Sequence, residues 1–235
     1  MRSTLMAAVL VPLAMLAGAC NTVTTGDSGV LTFTPDECGP GGCSLDDTLI
    51  VGGSTLVTLD DANDRHNNAD LSDLTLITDN PGVVDVQVVK SSSFTSSFRV
   101  TGVAGGRAHL IAIDRGGYEV DRTDVVVGYA DAFDIYRGSK GFVRDNDRAG
   151  YDQVWITQAS AENDMTIYAL RHGDRLMGRF EYHVDIDRVL FDGISAVWKD
   201  SLAKGHMVFR VPPGEYPVTF TTPDGLPLRL LIVAK

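Results

Sequence analysis

The sequence predicts an all-β chain: two small β-sandwich domains in tandem, behind a cleaved leader and a flexible tether. Three observations lead there. β-Branched residues recur in short runs, as at 83–89 and 125–127, separated by clusters of Gly, Pro, Asn and Asp. No long stretch carries the apolar period of an amphipathic helix. The residues left after a leader of 1–19 suit two domains of about 100 residues each.

The leader comes first. Arg2 supplies one positive charge and an apolar run follows from Leu5 to Leu16, interrupted by Pro12. That run is the length of a secretory core and falls short of the roughly 20 apolar residues a membrane span needs. Small residues, Ala17-Gly18-Ala19, then precede Cys20. This stretch resembles the bacterial lipobox, in which cleavage falls before a cysteine that is then acylated, although Ala17 stands where that family usually has Leu. Ala17-x-Ala19 also fits an ordinary signal-peptidase site cutting at the same bond. The cysteines weigh on the choice. Of the three, Cys38 and Cys43 enclose only Gly-Pro-Gly-Gly, a turn able to bring two sulfurs together in an oxidising compartment. Cys20 is then left over, and acylation would remove an otherwise free thiol from an exported protein. The resemblance implies a lipid on Cys20, and Asn21 after it implies sorting to the outer membrane. Cleavage without acylation would leave a periplasmic or secreted protein.

Residues 20–47 are rich in Thr, Gly, Ser and Asp and read as a lipid-anchored tether, with a short strand at 30–33 and a small Cys38–Cys43 loop. Gly26-Asp27-Ser28-Gly29 matches the nucleophile motif of trypsin-like proteases in letters alone. In that family the His and Asp lie far upstream of the serine, where this chain has only its leader, so the segment reads as linker.

The first domain is expected over 48–129. Strands are predicted at 54–59, 74–78, 83–89, 98–101, 108–113 and 119–127, with turns at Asp79-Asn80-Pro81-Gly82, Gly105-Gly106 and Arg115-Gly116-Gly117. The runs Asp79-Asn80-Pro81-Gly82-Val83-Val84-Asp85-Val86 and Gly102-Val103-Ala104-Gly105-Gly106-Arg107-Ala108-His109-Leu110-Ile111-Ala112, closed by Val125-Val126-Val127, resemble the bacterial immunoglobulin-like domain of group 2. The resemblance covers residues 48–128. It implies an immunoglobulin-like sandwich of the kind used by surface adhesins and envelope spacers, a fold more than a role.

After a junction at 130–134, the second domain is expected over 130–235 as another immunoglobulin-like sandwich. Strands are predicted at 152–157, 165–171, 175–184, 189–192, 196–199, 206–211, 215–221 and 226–233, with a helical turn at 200–204 and hairpin turns at His172-Gly173-Asp174 and Pro223-Asp224-Gly225. Trp155, Trp198, Phe180, Tyr216 and Phe220 are its expected core anchors.

The chemistry is sparse. A net charge of −11 without a Lys/Arg cluster excludes nucleic acid as a natural partner. His66, His109, His172, His183 and His206 show no ligand spacing, so no metal site is expected. Asp60-Asp61-Ala62-Asn63-Asp64 and Asp145-Asn146-Asp147 carry closely spaced oxygens, yet a calcium loop begun at Asp145 would need a carboxylate where Ile156 stands, and solvated turns are the better reading. No phosphate loop, serine elbow or Cys–His pair is present, so neither cofactor nor enzymatic reaction is expected. The function expected is that of an outer-membrane lipoprotein: a non-catalytic adhesion, scaffolding or spacer module, held to the membrane by its N-terminal lipid and meeting a protein or glycan partner. The alternative is a carbohydrate- or small-molecule-binding module in the C-terminal domain, using Tyr136, Tyr151, Tyr168 or Tyr182 on a common strand face.

Overall fold

The computed structural model describes residues 23–35, 43–62, 71–91, 96–137, 141–144, 148–161, 163–186 and 204–235. Within them the secondary structure is β apart from one 3-10 turn at Leu71–Asp73.

The first half carries β1 (Thr24–Thr25), β2 (Leu31–Pro35), β3 (Leu49–Ile50), β4 (Ser54–Asp61), β5 (Thr75–Thr78), β6 (Val84–Ser91), β7 (Ser96–Gly102), β8 (Gly106–Ile113) and β9 (Glu119–Gly128). They form two facing sheets, ordered β1-β2-β4-β7-β6 and β3-β9-β8-β5. Pairing is antiparallel except that β3 runs parallel to β9, the last strand of this half. The alternation in the sequence sets the faces. Along β4, Thr55, Val57 and Leu59 point inward while Ser54, Leu56 and Thr58 are half-exposed; β7 alternates the same way through Phe98 and Val100. These side chains meet Leu76, Ala108, Leu110, Ala112, Val125 and Val127 from the opposite sheet. Phe33 and Phe98 are fully buried, each contributing about 2–3 kcal/mol by burial.

Two expectations for this half change. Residues 20–47 do not act as a tether over the part described: β2 pairs with β4 from Leu31↔Asp61 to Pro35↔Val57, and Leu31, Phe33 and Leu45 lie in the core. The strand expected at 30–33 is longer, and the polar residues around it occupy its outer face and turns. Leu49–Ile50, ahead of the first strand expected in this domain at 54–59, is a short strand of its own.

The second half carries β10 (Ala132–Arg137), β11 (Gly141–Arg144), β12 (Gln153–Thr157), β13 (Asn163–Arg171), β14 (Asp174–Arg175), β15 (His183–Ile186), β16 (Lys204–Phe209), β17 (Gly214–Thr221) and β18 (Pro227–Ala234). One sheet runs β11-β12-β18-β17-β15; in the other, β13 pairs with β10, β14 and β16. Again one pair, β12 with β18, is parallel. The core gathers Trp155, Met165, Ile167, Phe209, Val218, Phe220, Leu230 and Ile232. Tyr216 is buried up to its hydroxyl, which donates to the Pro212 carbonyl at 2.9 Å, four residues upstream, in the manner of the tyrosine corner of immunoglobulin-type sandwiches. Trp155 and Phe220 are fully buried and Phe180 partly so, while Trp198 lies outside the described residues.

β10 begins inside the junction expected at 130–134, and β11 forms in a stretch where no strand was expected. The single strand expected over 175–184 is broken: β14 ends at Arg175, and the chain reaches across to the first half before β15 begins. The strands expected at 189–192 and 196–199, and most of the helical turn at 200–204, fall outside the described residues.

Candidate functional site

A buried carboxylate organises the start of the first sandwich. Asp121 lies on β9 in phase with Val125 and Val127, so strand alternation drives it inward, where it is fully inaccessible. Its oxygens accept the N–H groups of Ser28 at 2.8 Å and of Val30, Leu31 and Arg122 at 2.9 Å. Burial alone would raise its pKa; the backbone hydrogen bonds from Leu31, Ser28, Arg122 and Val30 outweigh this and hold it below the ordinary carboxylate value. Gly26-Asp27-Ser28-Gly29 is therefore a clamped turn and not a linker. The Asp27 N–H donates to the Arg122 carbonyl at 2.8 Å, and Gly26 packs so closely on the Asp121 carboxyl that any side chain there would collide with it. Ser28 engages the carboxylate through its backbone N–H, which is a structural arrangement and not a nucleophile–base pair. The signal for Asp121 was an acidic residue at an inward position of a valine-rich strand.

On the outer face of the same sheet, His109 bridges two carboxylates. Its Nδ1 is 2.6 Å from Asp79 and its Nε2 is 3.0 Å from Asp124, the residue directly opposite on β9. Asp79 also accepts the His109 backbone N–H at 2.8 Å. The His109 side-chain hydrogen bond, followed by that from its backbone N–H, holds the Asp79 carboxyl below its usual value. Half-exposed and opposite in face to buried Leu110, His109 occupies the side its alternation implied.

The junction between the two halves is built from backbone. Residues 176–179 lie along the edge of the first sandwich: the Met177 N–H donates to the Thr48 carbonyl at 2.9 Å, and the Ile50 N–H donates to the Met177 carbonyl at 3.0 Å. A little further on, Ser54 and Arg179 exchange both of their backbone hydrogen bonds. Met177 thereby enters the core of the first half, while Ile50 packs with Ala130, Ala169 and Leu176 of the second. Gly178 has φ +110°, and a Cβ there would stand 2.6 Å from Leu49 Cδ1. Gly52, at φ +79°, meets Pro223 just as closely. The Asp224 carboxylate accepts the Ala130 N–H at 2.6 Å, and Asp131 accepts the N–H of His172, whose turn with Gly173 has φ positive at both residues, as a two-residue hairpin requires.

The residues singled out from sequence are scattered. Cys20 and Cys38 lie outside the described residues; Cys43 is disulfide-bonded and packs against the first core. Asp60 and Asp61 end β4, whereas Asn63, Asp64 and Asp145-Asn146-Asp147 lie outside the described residues. Among the described residues no three His, Cys, Asp or Glu side chains lie together in a group that could hold a metal ion. Tyr136 and Tyr168 fall on one face of the β10–β13 pair, where the register sets Tyr168 opposite Asp134 and Tyr136 two residues along, while Tyr182 does not join them. Tyr182 is buried among Phe133, Phe180 and Phe220, and burial pushes its phenol well above the ordinary range. Tyr168 lies under the Arg175 guanidinium, 3.9 Å from the ring centre; Tyr151 sits in a loop, and Tyr136 pairs in register with Thr166.

The fold defines a tandem immunoglobulin-like β-sandwich protein. Within the stretch that resembles the group 2 domain, residues 74–128 match the family described as the Pilus formation protein N terminal region. No curated protein sequence matches the chain. Among solved structures, domains 5-6 of the S-layer protein SbsC are 16% identical, with a TM-score of 0.32, over 82% of this chain and 95% of that one. The C-terminal 282-residue fragment of intimin, solved in complex with the intimin-binding domain of its translocated receptor, is 12% identical, with a TM-score of 0.33, over 80% of this chain and 61% of that one. The Bacteroides ovatus protein SGBP-B, solved with a mixed-linkage heptasaccharide, is 11% identical, with a TM-score of 0.32, over 87% of this chain and 54% of that one.

Proposed function

We propose that this chain is a non-catalytic envelope protein, exported by its leader, held to the outer membrane by a lipid on Cys20, and working as a scaffolding, adhesive or spacer module. The observation that carries the reading is the brace at 176–179. A backbone ladder together with a core residue shared across the junction joins the sandwiches into one stiff element, which is what a module that sets distance or presents a surface requires. The match of residues 74–128 to a family of pilus formation proteins supports a place in the envelope. The Cys43 disulfide agrees with an oxidising compartment, and Cys38 is its proposed partner.

The anchor and the role are tested in one strain. Wild-type protein should partition into the detergent phase, and Cys20→Ala should move it to the aqueous phase; an unchanged distribution would remove the lipid from the reading. Chemical cross-linking of intact cells should trap the wild-type chain with an envelope protein or glycan. A chain that remains uncross-linked while correctly localised would count against a scaffolding or adhesive role.

A further inference from the structure

β1 begins only four residues after Cys20, and it forms the outer edge of the first sheet. Four residue steps of extended chain span at most about 14 Å. A tether of the length first read from the sequence, through residue 47, would reach several times further. Because β1 is hydrogen-bonded to β2 at Thr24↔Phe33 and Thr25↔Thr32, that slack does not exist. The flank is fixed more widely as well. Thr24 Oγ1 shares a hydrogen bond with Ser44 Oγ at 3.0 Å, which holds the turn containing exposed Asp46 and Asp47 beside β1. The Asp121 clamp locks the turn that joins β1 to β2.

We propose that the β1 flank of the first sandwich, from Thr24 to the Ser44–Asp47 turn, lies against the headgroups of the membrane that carries the anchor, and that the β6 edge faces away from it. This rests on the lipid anchor proposed above. The chemistry fits a polar headgroup surface more than a hydrocarbon one: among the described residues the flank offers Thr, Ser and Asp side chains, with Val23 and Val30 the exposed large apolar ones. β6 is four strand intervals away in the sheet order, about 19 Å, and it exposes Val88 and Val89. The short reach thus gives the domain an orientation, with its β6 edge directed away from the lipid.

The test uses the full acylated protein in phosphatidylcholine vesicles containing a nitroxide-headgroup lipid. A fluorophore is placed on Asp46→Cys or on Gln87→Cys, and vesicle co-sedimentation is read in parallel. Fluorescence at position 46 should be quenched roughly threefold more strongly than at position 87, since the lipid is within reach of one flank alone. Equal quenching at both positions, with the protein still co-sedimenting, would overturn the orientation while leaving the anchor intact. Loss of co-sedimentation would remove the anchor and this proposal with it. Inserting about twelve Gly/Ser residues after Asn21 should abolish the difference without loss of co-sedimentation, because a flexible linker of that length adds about 20 Å of reach. A difference that survives the insertion would also overturn the proposal.

Discussion

The Oδ2 of Asp121 accepts the backbone N–H of Leu31 at 2.9 Å, joining residues 90 positions apart in the chain. Through this carboxylate the last strand of the first sandwich holds the turn that introduces β2. Asp121→Ala would leave the N–H groups of Ser28, Val30 and Leu31 without their acceptor, that of Leu31 in a buried position. A loss of about 3 kcal/mol or more is expected, read as a fall in the urea midpoint, with Asp121→Asn losing less because its amide oxygen still accepts. A shift below about 1 kcal/mol would mean that the clamp is not structural.

Acid should unfold the protein partly through the same group. The folded-state pKa of Asp121 is lowered, so its stabilisation is fully present above the unfolded value of about 3.9 and is lost as pH falls through the folded value. The Asp79, Glu119 and Asp152 carboxyls are lowered too, the last two chiefly by hydrogen bonds from Arg122 and Arg229, and they act in the same direction. Melting temperature should drop below about pH 4, and Asp121→Asn should show a shallower drop between pH 4 and 2. Parallel curves for the two proteins would remove Asp121 from the account.

Phe33→Ala distinguishes a strand from a tether. In a tether the change is neutral; as a fully buried side chain of β2 it should cost about 3–5 kcal/mol, measured by thermal or urea unfolding.

Met177→Ala should loosen the half of the molecule to which Met177 does not belong by sequence. Its side chain packs in the first core, so a loss of about 2–4 kcal/mol is expected, with faster amide hydrogen exchange at Val57 and Val100 on β4 and β7. Gly178→Ala should act similarly, because φ +110° suits glycine and its Cβ would press on Leu49. Faster exchange confined to β13 and β17 would show that the brace is not energetically shared.

Much of the fold was legible because burial on a strand has a period of two. β7, β8, β9, β17 and β18 all lie close to where their alternating or valine-rich runs placed them, and turns such as His172-Gly173 follow from glycine chemistry. The failures share a cause. Residues 20–47 read as a tether since their composition is polar, with one short strand expected at 30–33, yet Leu31 and Phe33 suffice to dock that strand into the sandwich once β4 supplies a ladder. The run at 175–184 looked like one strand, since nothing local marks Gly178 as the point where the chain leaves one sandwich to meet the other. Asp121 was in plain view in a strand, although its partners lay in a segment assigned to the linker.

The sequence by itself determined the all-β class and the order of most of the described strands and turns, because each is written in neighbouring residues. Tertiary structure alone decided that the N-terminal segment belongs to the first sandwich, that a carboxylate on β9 holds it there, and that residues 176–179 fuse the halves. These depend on hydrogen bonds and contacts between residues tens of positions apart, where chain closure, and not local preference, selects the partner.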